Sequence, residues 1–350
     1  MAAKWKTVVL AASIVGAVVL AVTVVSGVLY EQAERARDRR RFPQIGRSVD
    51  IGGRTLNIDC AGAGQPAIIL DRGAPWPYSE PKMAFENGGP RPGYSWVAIQ
   101  RELAKATTTC WYDRAGSGWS EAGPYPRDSA SQARDLHALL QAAPVPPPYI
   151  LVAESSASLD AQVYTSFYPA DVAGLVLVNA VHPELFTRIG RGRFLKAPEF
   201  VGHSQDLMAE ALNRIGFFRL GLSHRAAAPA LPAPQGIAGS EWNTILRLTN
   251  APNARTALLQ EVGSWKQSTA EAGAAGTLGD RPLTVLCSDS AMLAPQYRGV
   301  WMDLQSDLAR LSTRGKLTVA GESHGDLVYE APAAIIEATR QMVRGYSTPH

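Results

Sequence analysis

Ser155 lies in a sequence setting that favours nucleophilic chemistry. It follows the apolar run 149–152, which predicts a buried strand, and precedes residues 158–164, which predict a helix. A serine in a tight turn between a strand and a helix presents its hydroxyl at the edge of a sheet. Such a turn requires small residues two positions before and after the serine, and these are Ala153 and Ala157. We therefore predict that Ser155 is a nucleophile.

Two further residues complete a candidate catalytic set. A serine hydroxyl is a weak nucleophile, so it needs a general base that is itself oriented by a carboxylate. Asp289 follows the predicted strand 283–287, and His324 follows the predicted strand 316–320. Both lie at carboxyl ends of strands, where ligand sites of parallel sheets gather. We predict His324 as the base and Asp289 as the acid that orients it.

Each assignment has an alternative. Ser155 could be an ordinary turn serine, and the predicted base could be a surface histidine. Ser156 is a rival nucleophile, but it would put Glu154 at a position that must be small. Asp303 and Asp326 compete for the role of the acid. The other histidines that we considered lie in a predicted helix or in or near the inserted segment, with no convincing metal-ligand spacing: His137, His182, His203 and His224.

An acyl-transfer site also needs donors for the developing oxyanion. The backbone N–H of Ser156 follows the nucleophile directly. The second donor is expected from the loop after the predicted strand 66–70, and we assign it to the N–H of Ala74, which follows Gly73. This chemistry requires no cofactor and no metal.

The order of the predicted elements indicates an α/β fold. Strands alternate with helical patterns, which implies a mostly parallel sheet covered on both faces. About a hundred residues without a clear strand separate the predicted strands at 174–178 and 283–287. We read this segment as an inserted helical cap. The expected divisions are residues 1–41, an anchor and linker; 42–182, the first part of the core; 183–278, the cap; and 279–350, the second part of the core.

The N-terminal region predicts a membrane anchor. Residues 7–30 form a stretch of 24 without a charge, about 36 Å long as a helix, against a hydrocarbon core of roughly 30 Å. A cleaved signal peptide is the competing interpretation, but its apolar region would be shorter. Orientation stays open: the five arginines between residues 35 and 41 favour a cytoplasmic C-terminal flank, whereas the short basic N-terminal tail favours the opposite.

Composition excludes some classes of protein. With 46% hydrophobic and 19% charged residues, the chain can build a sizeable core, so wholesale disorder is not expected. The net charge of +3 and the absence of a basic run interleaved with aromatics argue against a nucleic-acid partner. The three cysteines, Cys60, Cys110 and Cys287, are expected to be buried thiols.

The segment 111–120 resembles the Asp-x-x-Gly-x-Gly-x-Ser segment of α/β-hydrolase-fold esterases. Residues 135–140, 149–152 and 172–178 follow in the same order as in that family, and the resemblance runs from about residue 48 to 344, with the cap least alike. It implies an eight-stranded, mostly parallel sheet with helices on both faces, an inserted helical cap and a preceding transmembrane helix. Some bacterial relatives share the N-terminal helix.

Carried over by position, the resemblance implies nucleophile, acid and base at Ser155, Asp289 and His324, and oxyanion amides at Ser156 and Ala74. The chain departs from the family by having Ala at both glycine positions of Gly-x-Ser-x-Gly. It also departs at two polar positions: Glu154 stands where His or Gln is frequent, and Asn179 stands where some relatives carry Asp.

We therefore predict a single-pass, membrane-anchored serine hydrolase of the esterase or lipase type, expected in a bacterial cell membrane. It would cleave a small-molecule carboxylic ester through an acyl-enzyme. The serine argues against a dehalogenase or an epoxide hydrolase, which carry Asp at that position. The alternative from another class is a catalytically silent, membrane-tethered binding module. A lipase whose cap and residues 75–95 gate a bilayer-facing pocket is a second alternative.

Overall fold

A computed structural model describes residues 2–74, 91–190, 207–208, 210–217, 219–220, 232–289, 295–321 and 326–347. These residues form two compact units. The anchor unit comprises Met1–Gln44 and Leu207–Ala230, and the sheet unit comprises Ile45–Asp206 and Leu231–His350. The division places part of the segment predicted as a cap with the N-terminal helix, and part with the sheet.

The anchor unit is built on one long helix, α1 (Ala2–Arg41). By length and composition, this helix can cross a membrane, and none of its apolar window is buried against the rest of the described chain. The uncharged stretch 7–30 ends where a charged stretch begins at Glu31. The described residues among 207–220 add short helical turns to this unit.

The sheet unit contains one eight-stranded sheet. The strands are β1 (Arg47–Asp50), β2 (Thr55–Ala61), β3 (Ala67–Arg72), β4 (Thr109–Tyr112), β5 (Tyr149–Glu154), β6 (Val172–Val178), β7 (Leu283–Cys287) and β8 (Gly315–Val319). Their order in the sheet is β1-β2-β4-β3-β5-β6-β7-β8. β1 and β2 form an antiparallel hairpin around Gly52 and Gly53, β2 pairs antiparallel with β4, and all other pairs are parallel.

Helices cover both faces of the sheet. Alternate residues of β5 enter two separate cores, because successive strand side chains point to opposite faces. The helices are α2 (Val97–Leu103), α3 (Ser129–Ala142), α4 (Ala157–Phe167), α5 (Leu185–Arg188), α6 (Gly239–Thr249), α7 (Pro252–Gly263), α8 (Trp265–Ala274), α9 (Arg298–Ala309), α10 (Leu327–Glu330) and α11 (Pro332–Ser347). Leu151 packs in the core that includes α3 and α4, and Val152 packs in the core that includes α2 and α11. The predicted fold class is confirmed.

The prediction of three thiols is wrong for two cysteines. Cys60 and Cys110 form a disulfide, while Cys287 is a buried free cysteine. β2 returns beside β4 in a register that places Cys60 directly opposite Cys110. The two residues are 50 positions apart in sequence, so only the pairing of the strands reveals that they meet.

Two helix boundaries have local causes. The N-cap of α3 is Asp128, whose side chain accepts a hydrogen bond from the N–H of Ser131 at 2.8 Å. α6 ends at Thr249 and α7 starts at Pro252, because proline suits the first turn of a helix but not its interior.

A buried arginine joins the segment after β4 to three other elements. Arg114 donates from Nε to Asp71 on β3 at 2.9 Å and from Nη1 to Glu261 on α7 at 3.2 Å, and it also pairs with Asp160 on α4. All four side chains are buried. Burial raises the pKa of Asp160 to about 7, against the opposing effect of Arg114. The cluster therefore depends on the arginine to offset several desolvated carboxylates.

Arg114→Met should lower the free energy of unfolding by about 3–5 kcal/mol, because it leaves buried carboxylates without their cation. The matched control is Arg101→Met, since Arg101 pairs with Glu241 at the exposed surface and should cost less than about 1 kcal/mol. Urea unfolding of both variants measures the difference. Equal losses in the two variants would contradict the role assigned to Arg114.

Candidate active site

The backbone at Ser155 has the strained form of a strand-to-helix elbow. Ser155 has φ +57°, in the left-handed region that non-glycine residues rarely adopt. Its N–H donates to the carbonyl of Val178 at 3.0 Å, at the end of the pairing between β5 and β6. Ala153 and Ala157 are fully buried on either side, as the predicted need for small residues requires. We call residues 153–157 the elbow.

Gly73 allows the end of β3 to approach the elbow closely. A Cβ at Gly73 would lie 2.5 Å from the backbone nitrogen of Ala157 and 2.5 Å from the carbonyl oxygen of Glu154. Its N–H donates to the Glu154 carbonyl at 3.1 Å, which extends the ladder between β3 and β5 by one residue. A side chain at residue 73 would push the two segments apart, so this glycine brings Ala74 beside the elbow.

Ala74 contacts both serine hydroxyls of the elbow. The Ala74 N–H donates to Ser156 Oγ at 2.8 Å, and Ser155 Oγ donates to the Ala74 carbonyl at 3.0 Å. Three of the predicted site residues are thus brought together. The Ala74 amide is directed at the elbow, where it is engaged by the Ser156 hydroxyl, which retains a proton that it can donate elsewhere.

The predicted acid and base lie in different circumstances. Asp289 is found just beyond the carboxyl end of β7, as expected, and its partly exposed carboxylate pairs with Arg298 of α9. His324 lies outside the described residues. Of the competing acids, Asp303 is exposed on α9 and Asp326 belongs to an ion cluster beside the elbow. The assignment of Asp289 and His324 stays a prediction.

Asn179 occupies the end of β6, where some relatives carry Asp. Its side-chain oxygen accepts a hydrogen bond from the backbone N–H of Ser288 at 2.8 Å, and its backbone has φ +43°. Asn179 therefore links the ends of β6 and β7. This link fixes the segment immediately before Asp289.

An ion cluster that the sequence analysis missed lies beside the elbow. Arg72, the last residue of β3, donates from Nη2 to both carboxylate oxygens of Asp326, at 2.8 and 2.7 Å. Its Nε lies 3.6 Å from Glu154, the residue paired with it across β3 and β5. Arg91 approaches Asp326 at 3.3 Å. The available signal was a pair of charged residues, Asp71 and Arg72, at the end of an apolar strand, next to the loop of Ala74.

The cluster changes the electrostatics expected at Glu154. Burial raises the pKa of Glu154 to about 7, although Arg72 acts in the opposite direction. Burial also opposes the charge of Asp326, but Arg72 and Arg91 outweigh it and hold the pKa of Asp326 below its usual value. A Glu154 carboxylate without a partner would oppose a developing oxyanion electrostatically. In this structure Arg72 faces Glu154 and offsets its charge, and the raised pKa lets Glu154 hold a proton near neutral pH.

Metal-binding groups are not assembled in the described part of the chain. No three His, Cys, Asp or Glu side chains among those residues lie together so that they could hold a metal ion.

Comparisons with known proteins agree with this architecture. A family model described as the alpha/beta hydrolase fold matches residues 83–225. The uncharacterised protein YbdG of Bacillus subtilis (strain 168) is 22% identical over 271 residues, which cover 67% of this chain and 79% of that protein.

Solved structures give the same result. A thermophilic esterase from Thermogutta terrifontis matches with a TM-score of 0.57 and 18% identity, over 87% of this chain and 100% of its own. The haloalkane dehalogenase DbeA from Bradyrhizobium elkani USDA94 matches with a TM-score of 0.57 and 17% identity, over 85% of this chain and 97% of its own. The chain therefore has the α/β-hydrolase fold.

Glu154→Gln should remove a pH dependence of stability. Because the pKa of folded Glu154 is raised from 4.5 to about 7, the native state keeps a proton that the unfolded state releases in this interval. The free energy of unfolding of the wild type should therefore fall as pH rises from 4.5 to about 7. The Gln variant should lack this component.

The measurement is urea unfolding at several pH values between 4.5 and 8. Glu337→Gln, on an exposed position of α11, controls for the loss of one carboxylate and should follow the wild-type curve. A Glu154→Gln curve parallel to that of the wild type would contradict the raised pKa.

Proposed function

We propose that the sheet unit is a serine hydrolase that cleaves a small-molecule carboxylic ester. The observation that carries the proposal is the strained backbone of Ser155 at an elbow closed by Gly73, with the Ala74 amide directed at it. Strain of this kind persists where surrounding structure enforces it, and it is frequent at catalytic residues. The elbow is also where this fold carries its nucleophile.

The fold alone does not select the reaction, since an esterase and a haloalkane dehalogenase share it with this chain. The residue at the elbow favours an ester substrate, because a serine forms an acyl-enzyme whereas the carboxylate of an aspartate would form an alkyl-enzyme ester. Ser155 is therefore the discriminating residue between these reactions.

The proposed reaction has two stages. His324 accepts the proton of Ser155 Oγ as that oxygen attacks the carbonyl carbon, and Asp289 stabilises the resulting imidazolium. His324 then protonates the leaving alcohol, which departs and leaves the acyl group on Ser155. In the second stage His324 removes a proton from water as the water oxygen attacks the acyl carbon. The bond between that carbon and Ser155 Oγ then breaks, His324 returns the proton to Oγ, and the carboxylic acid leaves.

The oxyanion would be held by donors at the elbow. The Ser156 N–H follows the nucleophile directly, and the Ala74 N–H supplies a second donor once the Ser156 hydroxyl turns away from it. The hydroxyl could alternatively donate its own proton to the oxyanion while it continues to accept from Ala74. Either arrangement keeps Ser156 as a contributor of hydrogen bonds.

One observation favours the alternative of a silent binding module. Both elbow hydroxyls make hydrogen bonds to the Ala74 backbone, so each is occupied in this conformation. A hydroxyl that stays in this state would not attack a carbonyl carbon. The two functions differ in whether Ser155 reacts.

Ser155→Ala should abolish labelling by a fluorophosphonate probe, because the nucleophile is lost. For the same reason, kcat for a short-chain p-nitrophenyl ester should fall by about 10⁶-fold. Ser156→Ala is the matched control: it removes the neighbouring hydroxyl of the same elbow and should keep the labelling. Gel fluorescence and ester turnover measure the two effects. Folded wild-type protein that takes no label would favour the binding module, and labelling lost only in Ser156→Ala would assign the nucleophile to Ser156.

We also propose that residues 7–30 anchor the protein in a membrane as a single span. The length, the lack of charge and the exposed apolar surface of α1 support this anchor. The Cys60–Cys110 disulfide supports a sheet unit outside the cytosol, because disulfides persist in oxidising compartments and are rare in reducing ones. The short basic N-terminal tail would then stay in the cytosol.

In membranes acid-quenched directly from cells, denatured full-length protein should add one maleimide–polyethylene glycol at Cys287, and three after reduction. Cys287→Ala should add none before reduction and two after it. A gel shift counts the adducts. Three adducts on the unreduced wild type would show that the disulfide is not formed in the cell and would remove the support for this orientation.

A further inference from the structure

Ile215 and Gly216 are packed closely against the N-terminal helix within the anchor unit. A Cβ at Gly27 would lie 2.5 Å from the carbonyl oxygen of Ile215, so the two backbones touch at this point. Next to it, a Cβ at Gly216 would lie 3.2 Å from the ring of Tyr30. Gly27 and Tyr30 are within the last turn of the uncharged stretch 7–30, so Ile215 and Gly216 lie at the level where that stretch ends.

Polar contacts fix the same segment to the charged part of α1. Arg219 pairs with Glu31 at 2.7 Å and with Asp38 at 2.9 Å, and Glu31 is 2% exposed. Arg35 also donates to the side-chain oxygen of Asn213 at 3.3 Å. Truncation of one partner in a buried ion pair is strongly destabilising, so Arg219 should be an important contact of the segment.

The segment nevertheless exposes large apolar side chains. Leu207, Met208, Phe217 and Leu220 are 60%, 59%, 56% and 51% exposed. Phe217 is two residues from Ile215, so their Cα atoms are at most about 7.6 Å apart. The backbone of Phe217 therefore lies near the level at which the uncharged stretch of α1 ends.

We propose that the described residues among 207–220 form an interfacial segment whose Phe217 inserts into the lipid bilayer that α1 crosses. The occupant is lipid, because Phe217 is exposed and lies two residues from Ile215, which touches the last turn of the uncharged stretch of α1. Aromatic and aliphatic side chains at this depth add binding free energy, while charged residues stay in the headgroup region. The inference rests on the proposed membrane anchor.

The test is spin labelling of the full chain in phospholipid vesicles, with Cys287→Ala as the background because Cys60 and Cys110 are joined. Labels go on Phe217→Cys, on Val19→Cys within the span, and on Arg40→Cys, which is exposed and about 15 Å beyond Tyr30 along the helix. Collision rates with oxygen and with a water-soluble nickel complex report depth, since oxygen partitions into lipid. We expect the oxygen-to-nickel ratio at residue 217 to be shifted from the value at residue 40 toward that at residue 19.

The outcomes separate this inference from the anchor itself. A lipid value at residue 19 with an aqueous value at residue 217 would overturn the inference and leave the anchor standing, whereas an aqueous value at residue 19 would overturn both. Low access of both reagents at residue 217 would indicate contact with protein, such as a second copy of the chain, and would also overturn it.

Arg219→Ala in the Phe217→Cys background tests what holds the segment. We expect the oxygen-to-nickel ratio to shift toward the value at residue 40 and the label to become more mobile, because the contacts to Glu31 and Asp38 are lost. An unchanged ratio and mobility would contradict the role given to Arg219.

Discussion

The close approach of the end of β3 to the end of β5 is the constraint on which the rest of the candidate site depends. Backbone atoms of the elbow occupy the space that a Cβ at residue 73 would need, so only glycine fits there. Because β3 and β5 are neighbours in the sheet, this contact brings the Ala74 amide and carbonyl within hydrogen-bond distance of the two serine hydroxyls. The strain at Ser155 is sustained by the same packing.

Buried arginines make this arrangement compatible with several desolvated carboxylates. Arg72 forms ion pairs with Asp326 and Glu154 beside the elbow. Arg114 forms ion pairs nearby in the fold with Asp71, Asp160 and Glu261. Asp71 and Arg72 are adjacent on β3, so their side chains point to opposite faces of the sheet. One strand end thus takes part in two charge clusters, and both connect the sheet to elements that come later in the chain.

The anchor unit combines segments that lie far apart in sequence. The segment around Arg219 is inserted between strands of the sheet unit in chain order, yet it packs on the N-terminal helix. The chain therefore returns to its N-terminal helix between two strands of the sheet in chain order. The returning segment adds exposed apolar side chains to the unit that contains this helix.

Much of the fold was readable from the sequence, because apolar runs of strand length and the period of the helices are local properties. Strands β3, β5, β6, β7 and β8 were predicted near their observed positions. The small residues that flank Ser155 were predicted as well. The grouping of Cys60 with Cys110, of Arg72 with Asp326 and of Arg219 with Glu31 was decided only by the tertiary structure. The members of each pair are far apart in sequence, and nothing in their spacing along the chain indicates that they are in contact. Only strand register or helix packing brings them together.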